Sequence, residues 1–202
     1  MGDTEEYYSR VAEKYAEEQS FEEMPDDAEK SLKKLLNKFM KRVESGAILD
    51  AGCGPGRDTE YFASNGFRAA GIDSAPGMIE KATERNNQRA KYAVMDITDI
   101  GFDDATFDGV WCNTVMQFIP RNQMKKAVSE LHRVLKPGGK MYITFKLGTG
   151  EHVRDSDGLT RYLVPKKEVL KLLKRMGFRI EDYSTFQLNE LTAIGVHCTR
   201  ED

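Results

Sequence analysis

Beyond Ser45-Gly46 the chain alternates short apolar runs with stretches of helical periodicity. The runs are AILDAG, RAAGID, KYAVMDI, FDGVWCNTV and KMYITF, each short and bounded by turn residues as strands are. Ala47-Ile48-Leu49 is continuously apolar, which suits a strand covered on both faces. Helices between successive strands demand right-handed crossovers, and these build a parallel sheet with helices on both sides. The pattern predicts a doubly wound α/β fold.

The two ends differ from this middle. Tyr8, Val11, Ala12, Tyr15 and Ala16 fall on one helix face, with Asp3 and Glu6 spaced as a capping box at its start. Met24-Pro25-Asp26 breaks the chain. From Asp26 to Val43 an apolar stripe of Leu32, Leu35, Leu36, Phe39 and Met40 accompanies a basic one of Lys30, Lys33, Lys34, Lys38, Lys41 and Arg42. Near the other end a helix from Lys166 to Met176 stops at Gly177, and Phe178–Leu188 and Leu191–Arg200 read as strands. The turn Asn189-Glu190 is too short for a crossover, so these strands pair antiparallel and close one edge. One domain results, with an N-terminal helical cap (1–45), a core (46–145) and a lid loop, helix and closing strands (146–202).

Composition narrows the class. The 202 residues carry 33 acidic and 30 basic side chains, a net charge of −3, so no global positive field draws in a polyanion. Cys53, Cys112 and Cys198 are odd in number and far apart, which favours a reducing, cytoplasmic setting over a disulfide framework. No apolar run approaches the roughly 20 residues of a membrane helix, and the acidic start does not resemble a leader. Nucleic acid is neither implied nor excluded by this charge balance; with little chain beyond the core to grip a macromolecule, a small-molecule partner is expected, in a monomer or homodimer.

Chemistry concentrates at the strand ends. Ile48-Leu49-Asp50-Ala51-Gly52-Cys53-Gly54-Pro55-Gly56 is a strand running into alternate glycines and then a helix. Such a turn takes positive φ and lets a ligand approach the backbone at a helix N-terminus. Asp73 ends the next strand, where a carboxylate can accept both hydroxyls of a ribose. Asp96 with Ile97 ends the third strand and suits an adenine edge, although Asp96 could instead cap its own turn. Asn113 follows the fourth.

Together ILDAGCGPG, GIDSAPGMIEKA, VMDI, FDGVWCNTVMQFI and LHRVLKPGGKMYITF resemble class I S-adenosylmethionine-dependent methyltransferases over Gly46 to Phe145. The resemblance implies a Rossmann-like, mostly parallel seven-stranded sheet and S-adenosylmethionine as cofactor, with S-adenosylhomocysteine as product. It implies Asp50, Ala51, Gly52, Gly54 and Gly56 around the methionine moiety, and Asp73 on the ribose. Ser74 and Met78 would flank adenine, Asp96 and Ile97 would meet its edge, Asn113 would hold the ammonium, and Tyr15 would reach in from the N-terminal helix. Cys53 reads as packing, and His132, His152 and His197 form no metal set.

The acceptor is recognised by segments outside these motifs, namely the N-terminal helices and Lys146–Val164. Within the latter, His152 is the candidate general base, and Tyr162 with Arg154 and Arg161 could orient a substrate. Gln117, just past the fourth strand, should face the transferred methyl. Two other classes stay open: a transfer-RNA-modifying enzyme using the basic stripe, and a nicotinamide-dinucleotide-binding or non-catalytic cofactor-binding protein.

Overall fold

The computed structural model describes residues 2–85, 89–154, 156–188 and 190–202. Asn189, assigned above to the closing turn, and Asp155 of the lid segment lie outside them. In chain order the elements are α1 (Gly2–Glu18), α2 (Asp26–Val43), β1 (Ala47–Ala51), α3 (Arg57–Ser64), β2 (Arg68–Asp73), α4 (Pro76–Arg85), β3 (Ala90–Val94) and β4 (Phe107–Cys112). A 3-10 turn (Met116–Phe118), α5 (Arg121–Val134), β5 (Leu135–Lys146), β6 (Glu151–Val153), β7 (Thr160–Tyr162), α6 (Lys166–Arg175), β8 (Phe178–Leu188) and β9 (Leu191–Arg200) follow.

One seven-stranded sheet runs β3-β2-β1-β4-β5-β9-β8. The pairs β1–β2, β1–β4, β2–β3 and β4–β5 are parallel, and β9 is antiparallel to both β5 and β8. The expected doubly wound architecture with an antiparallel closing hairpin is therefore present. Its cause is visible in β4, where successive residues face opposite layers. Val110 joins Leu49, Val128, Leu131, Val169 and Leu173 under α5 and α6. Trp111 joins Leu36, Phe39 and Phe62 under α2 and α3, and stacks on Tyr142 with centroids 4.5 Å apart. Burying a side chain such as Phe39 or Leu49 completely stabilises the fold by about 1.5–3 kcal/mol.

Three local expectations change. α1 already contains Asp3, so that carboxylate sits in the first turn, where it favours the helix dipole, rather than at the cap. β5 begins at Leu135 and absorbs the Lys136-Pro137-Gly138-Gly139 segment. The lid segment is not an open loop, because β6 and β7 pair antiparallel and Leu147 bridges Val164. Among the described residues, no helix is long and apolar enough to cross a membrane.

Candidate functional site

The strand order reverses between β1 and β4, and a crevice opens beyond their carboxyl ends, as doubly wound sheets require. The β1 turn is pinned to β2: Gly52 N and Cys53 N both donate to Ile72 O, at 2.7 and 2.9 Å. Gly52 has φ +79°, and a Cβ there would lie 2.1 Å from Val115 Cγ2. At Gly54, φ +53°, a Cβ would meet only Tyr15 Cε1 at 3.9 Å, so the turn is open toward the crevice. Gly54 N donates to Asp73 Oδ2 and Ala75 N to Asp73 Oδ1, both at 2.9 Å. Burial raises the Asp73 carboxyl above its usual range, against these N–H groups that lower it, and the Glu5 charge adds to the rise.

Two adjoining cavities fill the crevice. The larger, about 850 Å³ including its open mouth, brings together Tyr15, Gly52, Gly54, Asp73, Ser74, Met78, Asp96, Ile97 and Gln117 from the sequence-derived set. The smaller, about 420 Å³, shares Tyr15, Gly52 and Gly54 and adds Asp50 and Asn113. Asp96 lines the larger cavity, and its Oδ1 accepts from Thr98 N at 2.7 Å, so it also caps its own turn. Ala51 and Gly56 are not on these walls. Ala51 is buried at the end of β1. Gly56 precedes α3 at φ +87°, where a Cβ would lie 2.6 Å from Tyr92 Oη.

In the wall of the smaller cavity sits an acid pair, Asp50 and Asp58. Thr59 Oγ1 donates to Asp50 Oδ2 at 2.6 Å, while Asp58 accepts from Trp111 Nε1 at 2.9 Å and Arg57 Nε at 2.8 Å. Burial first, then the neighbouring Asp58 charge, pushes the Asp50 carboxyl up to about 8. The sequence reading missed Arg57, Asp58 and Trp111; the signal was the Arg57-Asp58 pair directly after the glycine turn.

α1 roofs the larger cavity. It lies so close to α4 that a Cβ on Gly77 would fall 2.7 Å from Ser9 O. Arg85 Nη1 donates to Ala16 O at 2.6 Å, and Lys81 pairs with Glu13. Thr4, Glu5, Tyr8 and Phe118 also line this cavity and were not foreseen. Tyr8 meets Tyr15 and Phe118 edge to face, each with centroids 5.5 Å apart. Thr114, at φ +63°, donates its N–H to Thr144 Oγ1 at 2.6 Å. Gln117 Nε2 donates to Thr114 O at 2.8 Å, and its Oε1 is buried without a partner among the described residues.

The structure does not bring His152 or Tyr162 to either wall. The β6–β7 pairing turns His152 toward Glu190, Nε2 to Oε1 3.5 Å, and Arg154 Nε reaches the same oxygen at 3.4 Å. Tyr162 packs partly buried against the main core. Arg161, also named as a substrate-orienting group, is buried with its guanidinium on Asp157 and Leu159 O. Closing the segment into a hairpin consumed the side chains that a mobile loop would have offered.

Comparison with known proteins gives the same picture. A family profile described as a methyltransferase domain matches residues 49–143. Malonyl-[acyl-carrier protein] O-methyltransferase of Salmonella typhimurium is 32% identical over 137 residues, covering 68% of this chain and 51% of that protein. This chain thus spans about half the length of that relative. A crystal structure of a SAM-dependent methyltransferase from Methanosarcina mazei superposes with a TM-score of 0.71 at 20% identity, covering 83% and 97% of the two chains. The structure of Burkholderia thailandensis 1,6-didemethyltoxoflavin-N1-methyltransferase, with 1,6-didemethyltoxoflavin and S-adenosylhomocysteine bound, gives 0.68 at 21% identity over 83% and 76%.

Proposed function

This chain belongs to the class I S-adenosylmethionine-dependent methyltransferase family, and we propose that its crevice binds S-adenosylmethionine and passes the methyl group to a small-molecule acceptor. The observation that carries this reading is the hydrogen bond from Gly54 N to Asp73 Oδ2, which joins the open glycine turn to the acid ending β2.

The residues present fit the cofactor. On the wall of the larger cavity, Asp73 would accept from ribose hydroxyls and Asp96 from an exocyclic amine, while Met78 and Ile97 would offer apolar surface to a purine. Asp50, Asn113 and the bare backbone at Gly52 and Gly54 suit an amino-acid tail. When bound, the cofactor supplies a methyl carbon activated by a sulfonium and a neutral thioether leaving group. The chain then has chiefly to position the acceptor and exclude water, and positioning alone is worth roughly 7–11 kcal/mol. α1 and the Met116–Phe118 turn close the cavity on the acceptor side.

Calorimetric titration with S-adenosylhomocysteine and with NADH tests the cofactor assignment, and transfer of an isotopically labelled methyl tests catalysis. Binding of the former alone, with turnover on a small acceptor, is expected. Binding of NADH alone overturns the reading, and cofactor binding without turnover across amines, thiols, hydroxyls and carboxylates reduces the chain to a binding protein.

A further inference from the structure

Apart from the positions assigned to the cofactor, the larger cavity presents Glu5, Tyr8, Gln117 and Phe118. Its walls carry the carboxylates of Glu5, Asp73 and Asp96 and no Lys, Arg or His among the described residues. The neighbouring cation is spent: the Arg161 guanidinium lies 4.4 Å from the Phe118 ring centroid and is held by Asp157 and Leu159 O. Gln117 has committed its amide nitrogen to Thr114 O, which leaves Oε1 as a buried acceptor in need of a donor. Tyr8 adds an aromatic ring on the same side.

Resting on the cofactor reading above, we propose that the methyl acceptor is an amine, taken up as its ammonium between Glu5, Gln117 Oε1 and the Tyr8 ring. The charge count favours this. An S-adenosylmethionine molecule carries a sulfonium, an ammonium and a carboxylate, so it offsets one of the wall carboxylates and leaves the surplus for a cationic partner. A carboxylate or phosphate acceptor would add negative charge to a wall with no cation to receive it. Rings and a carboxylate attract an ammonium, and an acceptor oxygen fixes one of its N–H groups. For transfer, the ammonium gives one proton to Glu5 and frees its lone pair. The nitrogen–carbon bond forms as the carbon–sulfur bond breaks, with that electron pair left on sulfur, and the product is the N-methyl ammonium.

The test is calorimetric titration of benzylamine, benzyl alcohol and benzoate into the full chain saturated with S-adenosylhomocysteine, near neutral pH. Benzylamine is expected to bind about tenfold or more tighter than either isostere. Glu5→Gln should remove most of that preference, and Gln117→Leu should reduce it, with the S-adenosylhomocysteine complex still forming in both. Equal binding of the three probes, binding of none, tighter binding of benzoate, or a preference untouched by both substitutions overturns the amine assignment and leaves the cofactor reading intact. Absence of S-adenosylhomocysteine binding in the unsubstituted chain is the separate outcome that sinks the cofactor reading, and the amine assignment with it.

Discussion

Gly54 gives its amide proton to Asp73 Oδ2 at 2.9 Å, although 19 residues separate them. The turn leaving β1 and the acid ending β2 are consequently one hydrogen-bonded unit. Strand register makes this possible: Ala51 pairs with Ile72, so both chains leave the sheet at the same level. Asp73 is held by backbone groups from both sides and keeps a fixed direction into the cavity without any side-chain partner having to order it.

Asp73→Ala should therefore weaken S-adenosylhomocysteine binding by about 1.5–3 kcal/mol, the worth of hydrogen bonds to a charged group. Titration calorimetry reads this directly. Unchanged affinity would show that Asp73 serves only the turn.

Gly52→Ala tests the turn itself. The added methyl would lie 2.1 Å from Val115 Cγ2, on a backbone at φ +79°. Overpacking of this kind costs about 1–3 kcal/mol, and left-handed backbone about 1–2 kcal/mol more. Val115→Ala in the same chain should restore the packing part and not the backbone part, so thermal melts of the single and double variants should differ from additivity. Strict additivity would remove Val115 as the cause.

Most of the fold was legible because burial on both faces writes itself into the sequence: a run such as Ala47-Ile48-Leu49 has few other homes. Glycine, Asp73 and Asp96 were legible because strand ends and turns have fixed chemistry in this architecture. His152 and Tyr162 were misplaced for a physical reason. Local polarity says that a segment is exposed, but the β6–β7 pairing that turns His152 to Glu190 is a cross-strand event with no local signature. The same limit hid Glu5 and Tyr8, which enter the site only because α1 folds back on α4.

Asp50 makes stability depend on pH. Its carboxyl is raised from 3.8 to about 8, by burial and then by Asp58. The folded chain then binds more protons than the unfolded one between those values, so stability falls as pH rises through that window and levels off above it. Asp50→Asn removes this contribution, and the variant should gain on the parent by more than about 1 kcal/mol between the two ends of the window. Denaturant melts near pH 5 and pH 8.5 supply the comparison, and an equal difference at both would contradict the shift.

The α1 roof depends on the absence of a side chain at Gly77, where a Cβ would fall 2.7 Å from Ser9 O and 2.8 Å from Ser9 Cα. Because the contact is with backbone, it cannot be relieved by a rotamer change. Gly77→Val should push α1 away, speed tryptic cleavage after the already exposed Arg10 and Lys14 by loosening the helix backbone around them, and lower S-adenosylhomocysteine affinity by about tenfold, through lost exclusion of water. A variant with parental affinity and unaltered cleavage would mean that α1 closes the cavity without the α4 contact.

The basic stripe of α2 bears on the rival RNA-modifying reading. Lys33 pairs with Glu29, Lys38 with Asp182 at 3.2 Å, and Arg42 with both Glu181 and Asp182. With these three matched, Lys30, Lys34 and Lys41 remain as the stripe's other exposed cations, too few to release the counterions that make nucleic-acid binding strong and steeply salt-dependent. Transfer RNA should therefore show no salt-sensitive retention on the parent chain, even at low ionic strength. Asp182→Lys supplies the contrast, because it removes one counter-charge and adds a cation beside Lys38 and Arg42. Weak retention that falls steeply with salt should then emerge in that variant alone. Salt-steep binding by the parent would mean that the α2 stripe meets phosphates after all, and would move the RNA reading ahead of the small-molecule one.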